Sequence, residues 1–238
     1  MERLDKIICS QTEYSRKDIK KIVSQKRIKV NGRIIIKSDI KIDENKDIIL
    51  IDDKEIQIRE YVYLILNKPK GYISATEDRI QKTVLELIDD KYLHRDLFPA
   101  GRLDKDTTGL MIITDDGKFA HEILSPRKHV SKTYEVTLDI PVTEEMVKRF
   151  KDGIDLNDGK CKTAVMEITG EYSAKVILTE GRYHQIKRMF GCFGAKVIEL
   201  HRIKMGGLEL PNDLREGESR ELTFEEIKKI KNDKGVLQ

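Results

Sequence analysis

Apolar and polar positions alternate along this chain with two periods, and the switches between them mark the elements. Leu4, Ile7 and Ile8 recur at helical spacing, as do Ile19, Ile22 and Val23 after Ser15, a residue type that caps helix starts. Asp18, three residues beyond that cap, favours the positive end of the helix. Ile28 to Val30 and Arg33 to Ile36 flank Asn31-Gly32, the strongest short signal for a hairpin, because both turn positions tolerate positive φ. A charged stretch over 52–60 reads as a linker, and Tyr61 to Leu66 opens a second unit with the pattern of a buried strand.

Beyond that point short elements alternate. Thr83 is placed to cap a short helix through Ile88, and Leu110 to Ile113 is an apolar run closed by an Asp115-Asp116-Gly117 turn signal. Tyr134 to Leu138 reads as a strand. A helix follows, with Thr143 as its cap, a staple between Val142 and Val147, and Gly153 near its stop. Strands are expected at Val165–Ile168, Lys175–Leu178 and Val197–Leu200, with a short helix from His184 to Phe190 before the last of them. A final helix starts at Thr223, with Glu226 completing a capping box. Hairpin signals outnumber regular β-α-β spacing. The expected class is therefore α+β: a small N-terminal α/β unit over 1–58, and a larger one over 59–238 with a largely antiparallel central sheet and flanking helices.

Composition narrows the class. Charged residues make up 37% of the 238 and aromatics 6%, which with recurrent Ile, Leu and Val describes a well-solvated globular protein with a modest core. No apolar run reaches the roughly 18 residues of a membrane span, and the charged N-terminus lacks a signal-peptide core, so a cytoplasmic protein is expected. Cys9, Cys161 and Cys192 are odd in number and widely spaced, which favours reduced, mostly buried thiols over disulfides. His184 and His201 have no His or Cys partner at ligand spacing, so no metal site is expected.

The net charge of +3 hides a strong asymmetry. Residues 1–37 carry 11 Lys and Arg against 4 Asp and Glu, whereas residues 59–238 carry 31 of each. All the excess positive charge lies in the first segment, as expected for a phosphate-backbone partner. Arg16, Lys17, Lys20 and Lys21, beside or within the second helix, are the candidate contacts.

The most informative string is Gly101-Arg102-Leu103-Asp104-Lys105-Asp106-Thr107-Thr108-Gly109-Leu110, which puts an acid on a loop feeding a core strand. It resembles the signature of the pseudouridine synthases that modify ribosomal RNA. Asn67-Lys68-Pro69-Lys70-Gly71, Lys132-Thr133-Tyr134-Glu135-Val136, Glu180-Gly181-Arg182-Tyr183-His184-Gln185-Ile186-Lys187-Arg188 and Glu199-Leu200-His201-Arg202 look like further motifs of that family, in family order. The N-terminal unit resembles the S4 RNA-binding domain through Arg3-Leu4-Asp5-Lys6, Ser15-Arg16 and Val30-Asn31-Gly32. Ser125-Pro126-Arg127 and Lys132 to Leu138 look most like the small-subunit, RsuA-type branch.

The resemblance implies a synthase acting on uridine 516 of 16S rRNA in a partly assembled small subunit, as a monomer and without a cofactor. Isomerising uridine breaks N1–C1′ and rejoins the ring through C5, which needs a carboxylate, a pocket for the detached base and a proton-transfer group. The resemblance makes Asp104 the catalytic carboxylate. It must stay ionised once RNA excludes water, and Lys187 matches the position of its basic partner, with Arg188 as runner-up and otherwise a phosphate contact. Tyr134 combines a stacking ring with a hydroxyl for proton transfer. Arg102 is expected to brace the gap left by the flipped base or to pair with Asp106, and Leu200 to pack the pocket floor. Lys68, Lys70 and Lys132 read as phosphate contacts, and His184 as a minor candidate base. Three other readings stay open: a large-subunit (23S) synthase of the same family, a non-catalytic S4-containing assembly factor, and a glycosidase or RNA hydrolase. The last normally needs a second carboxylate or a metal, for which no motif is found.

Overall fold

The computed structural model describes residues 1–125 and 130–231. The chain divides into two compact units, Met1–Val62 with Asp89–Leu97, and Tyr63–Ile88 with the residues from Phe98 onward. In the first unit, helices α1 (Leu4–Gln11) and α2 (Arg16–Ser24) precede strands β1 (Ile28–Val30), β2 (Arg33–Ile34), β3 (Ile49–Ile51) and β4 (Lys54–Glu55), which form one antiparallel sheet in the order β2-β1-β3-β4. Ser15 and Asp18 form a reciprocal capping box that satisfies orphan amides at the start of α2, worth about 1 kcal/mol. Asn31 (φ 50°) and Gly32 (φ 78°) supply the two positive-φ positions of the β1–β2 turn. Leu4, Ile8, Ile19, Ile28 and Ile49 are fully buried together. Each such side chain contributes about 1.5–3 kcal/mol. The Arg95 guanidinium donates to the carbonyls of Ser10 (3.0 Å) and Arg59 (3.1 Å), so the Asp89–Leu97 segment is tied into this unit by side-chain bonds that no periodicity signals.

The second unit is built on a nine-stranded sheet. Its main strands are β5 (Tyr63–Lys68), β6 (Thr108–Thr114), β7 (Lys132–Leu138), β8 (Val165–Gly170), β9 (Ser173–Leu178), β10 (Val197–Met205) and β11 (Ser219–Glu221), in the order β8-β9-β7-β10-β6-β5-β11. All neighbours are antiparallel except β10 and β6, which run parallel with His201 opposite Thr108 and Arg202 opposite Gly109. Every residue of β6 is buried, which accounts for its unbroken apolar run.

Three helices cover this sheet in ways the sequence signalled, and one it did not. α4 (Glu144–Asp152) is capped by Thr143 and ends at Gly153. It meets α5 (Gln185–Gly191) through Phe150 and Phe190, whose ring centroids are 4.8 Å apart. α6 (Phe224–Lys231) starts at a reciprocal Thr223–Glu226 box. Asp116, read as part of a turn, instead caps α3 (Gly117–Leu124), accepting from the Phe119 amide (2.9 Å) and from the Tyr63 hydroxyl (2.7 Å). α3 then buries Phe119, Ala120 and Ile123 against Ile65, Leu110 and Ile112. Two further departures are small: Val84–Leu87 is a 3-10 turn, and the last long strand runs past Leu200 to Met205. Cys192, expected to be buried, is exposed because it caps the C-terminus of α5. Among the described residues no helix is long and apolar enough to cross a membrane.

Candidate active site

Asp104 lies on the loop entering β6, and that loop is held from beneath by a lysine. Lys68, at the end of β5, is completely buried, and its ammonium donates to the carbonyls of Pro69 (3.1 Å), Asp104 (3.1 Å) and Thr107 (2.9 Å). Burial pushes its pKa down to about 8, opposed by the charges of Asp106 and Asp104. Lys68 is therefore a brace for the loop, which corrects the expectation of a phosphate contact. Lys132 needs the same correction: it is buried on β7, and its ammonium reaches the Val130 carbonyl (3.3 Å). Period-2 alternation puts it on the same face as buried Tyr134 and Val136.

The Asp104 carboxylate stays about a quarter exposed, with a cation or potential cation at each oxygen. Lys187 Nζ is 3.4 Å from Oδ2, and His184 Nε2 is 3.4 Å from Oδ1. Lys187 also bonds Asp106 at 2.5 Å, which holds the Asp106 carboxyl below its ordinary range. His184 sits just before α5 with left-handed backbone (φ 47°, ψ 36°), a conformation that costs a β-carbon residue about 1 kcal/mol. Left-handed strain in a non-glycine residue is a common mark of functional sites.

Neighbouring side chains separate on the helix, so Lys187 faces the acid while Arg188 turns to a bidentate pair with Asp158. Arg102 is exposed and makes no hydrogen bond or ion pair with a described residue, since Asp106 is taken by Lys187. Tyr134 on β7 is 9% exposed, and its cross-strand partners are Val176 and Arg202. Leu200 is buried opposite Val136 on the same face. Lys70 stands apart, half exposed and 3.6 Å from Glu199. Pro126 and Arg127 lie outside the described residues.

Sequence reasoning left Arg202 without a role. It is 2% exposed on β10; its Nε donates to the Leu110 carbonyl at 2.7 Å and its Nη2 has no partner among the described residues. A buried arginine inside an alternating strand was the available signal, because that residue is rarely enclosed without purpose. Asp106 was likewise offered only as a partner for Arg102, although Asp-x-Asp on one loop invites a shared cation.

In the N-terminal unit, Arg16, Lys17, Lys20 and Lys21 are all exposed on α2, opposite buried Ile19, Ile22 and Val23. None has an ion pair with a described residue. Lys20 also lines a groove of about 500 Å³ with Arg3 and Lys37. Four unpaired cations on one helix face make a surface suited to a polyanion.

Comparison with known proteins identifies the family. The RNA pseudouridylate synthase profile matches residues 62–191, and the S4 domain profile matches residues 2–48. The chain belongs to the RNA pseudouridylate synthase family. Ribosomal small subunit pseudouridine synthase A of Escherichia coli K12 is 41% identical over 230 residues, covering 96% of this chain and 99% of that protein. The protein of the same name from Yersinia pestis is 40% identical, covering 96% and 97%. An uncharacterised RNA pseudouridine synthase of Bacillus subtilis is 39% identical, covering 94% and 96%. A crystal structure of a pseudouridylate synthase superposes with a TM-score of 0.69 at 40% identity, covering 97% of this chain and all of that one. This pseudouridine synthase thus pairs an S4 domain with an α+β unit rich in antiparallel strands. Among its described residues no group of three or more His, Cys, Asp or Glu side chains is placed to hold a metal ion.

Proposed function

We propose that this synthase converts uridine to pseudouridine in ribosomal RNA, at uridine 516 of 16S rRNA within a partly assembled small subunit, with Asp104 as the catalytic carboxylate. The observation that carries the reading is the pair of 3.4 Å approaches that place Lys187 and His184 on the two oxygens of Asp104. Groups at both oxygens can orient the carboxylate toward a uridine when RNA displaces water. The carboxylate can capture C1′ as the N1–C1′ bond breaks, add to C6, or take the C2′ proton, and each role needs it ionised. The detached uracil turns, C5 bonds to C1′, the C5 proton leaves and N1 gains one, so no redox partner enters. Tyr134 supports the ring and its hydroxyl handles a proton. The four α2 cations supply backbone affinity for RNA, as a monomeric cytoplasmic enzyme of ribosome assembly would use them.

Asp104→Asn keeps size and hydrogen bonding but removes the anion. It is expected to abolish tritium release from a partly assembled small subunit with C5-labelled 16S rRNA under single turnover, while leaving RNA affinity nearly unchanged. Activity within about tenfold of wild type, roughly 1.4 kcal/mol of barrier, would exclude Asp104 as the catalytic group. Mapping pseudouridines in rRNA from cells with and without the gene tests the position, and loss of a 23S site instead would move the assignment to the large subunit.

A further inference from the structure

Directly beside the Asp104 carboxylate stands an aromatic pair whose outer ring, Tyr183, has no role in the chemistry. The Tyr183 and His184 rings are stacked, with centroids 3.8 Å apart and planes 17° from parallel, and His184 Nε2 is the atom 3.4 Å from Asp104. Tyr183 is 76% exposed. One face of its ring is covered by the imidazole, and its hydroxyl bonds to no described residue. Such an open ring contributes little to folding.

The segment that carries the two rings is braced throughout. Arg182 donates to the carbonyls of Gly159 and Lys160, each at 2.7 Å, while its own amide donates to Gln185 Oε1 at 3.0 Å. Gln185 in turn donates to Glu180 at 2.7 Å, and Arg188 donates to the Tyr183 carbonyl at 3.1 Å. A loop with its backbone fixed at both ends presents a preset surface, so a ligand docking there meets little ordering cost.

We infer that Tyr183, backed by His184, is a stacking platform for a nucleobase adjacent to the target uridine. This rests on the reading of the chain as an rRNA-modifying enzyme. Turning one base out of a strand leaves its neighbour with an uncovered face, and an aromatic ring near the acid is positioned to replace the lost stacking. Aromatic platforms serve single-stranded RNA because every base has a π face. The platform is a binding feature and takes no part in proton transfer.

The test uses the full chain and a partly assembled small subunit whose 16S rRNA contains the target uridine, in an intact form and with an abasic nucleotide on its 5′ or 3′ side. Wild-type tritium release from the intact particle establishes the underlying activity; without it the functional reading fails, whatever Tyr183 does. Given that activity, Tyr183→Ala is expected to raise the RNA concentration for half-maximal single turnover by at least about fivefold. The rate at saturation should stay within about threefold, and Tyr183→Phe should match wild type. The abasic substitution on the stacked side should weaken binding to wild type but add little further loss to Tyr183→Ala. An unchanged half-saturation in Tyr183→Ala, additive losses with both abasic particles, or full rescue by Tyr183→Leu would each overturn the platform. A slower saturated rate with unchanged affinity would also overturn it, by assigning the ring to orienting His184.

Discussion

Replacing Lys68 with methionine separates the positioning of the catalytic loop from the stability of the fold. The side chain is fully buried, and its three shortest contacts are carbonyls at 2.9–3.1 Å, two of them on Asp104 and Thr107. Asp104 O also accepts the Thr107 amide at 3.1 Å, so the loss falls mainly on Pro69 and Thr107. At about 1–1.5 kcal/mol for each deserted carbonyl, Lys68→Met loses about 3 kcal/mol. Against this stands the cost of enclosing the ammonium. Burial lowers its pKa from 10.5 to about 8, which corresponds to about 3 kcal/mol carried by the folded state below pH 8. The two terms nearly cancel, so unfolding in urea at pH 7 should show a change within about 2 kcal/mol.

Catalysis has no such offset. With the tether gone the Asp104 loop is free to shift, and a displacement of about 1 Å in a reacting group costs on the order of 100-fold. Single-turnover tritium release should fall by about that factor. A Lys68→Met enzyme that is normally folded and within about threefold of wild-type rate would refute the bracing role. The pH dependence adds an independent check. Between about pH 8 and 10.5 the unfolded chain holds a proton on Lys68 that the folded chain has released, so this residue makes stability rise with pH, by up to about 1.4 kcal/mol per pH unit. The variant should lack that rise, and identical stability profiles would show that the ammonium carries no burial cost.

Tyr134→Phe keeps the ring and should retain RNA affinity while losing turnover; normal single-turnover release would reduce Tyr134 to a platform. Converting Arg16, Lys17, Lys20 and Lys21 together to glutamine should weaken RNA binding and flatten its log–log salt dependence by about 0.7 to 0.9 per lost phosphate contact, with the rate at saturation retained. An unaltered salt slope would make these four cations a solvated face.

Much of the architecture was legible because local rules and burial agree in it. Ser15 with Asp18 and Thr223 with Glu226 cap helices where their spacing places them, and Asn31-Gly32 turns a hairpin. What stayed hidden depends on contacts between residues far apart in sequence. Asp116 was a turn residue until Phe119, Ala120 and Ile123 were seen packed against the sheet, and only tertiary burial makes so short a helix worthwhile. Lys68 read as a surface cation because nothing in Asn-Lys-Pro-Lys-Gly reveals that two carbonyls from a loop some 40 residues later, those of Asp104 and Thr107, converge on one of its two lysines. His184 had no visible partner because its proximity to Asp104 is made by the sheet.

The spacing of Gly101 to Leu110 makes physical sense when each residue is matched to its neighbour. Leu103 is buried, and its amide and carbonyl exchange hydrogen bonds with the Ser74 hydroxyl at 2.9 and 2.7 Å, which fixes the backbone just before the acid. Asp104 follows with its side chain outward, and Asp106 holds the far side of Lys187, so that cation is shared between two carboxylates. Gly109 then meets the parallel strand. A β-carbon there would lie 2.3 Å from the Arg202 carbonyl oxygen, and φ is +101°, so both space and backbone require glycine. That close approach seats Arg202, and with it the strand paired to Tyr134, next to the strand the Asp104 loop feeds. An alanine at 109 would push the two strands apart, and the parallel pairing that links the two halves of the site would have to shift.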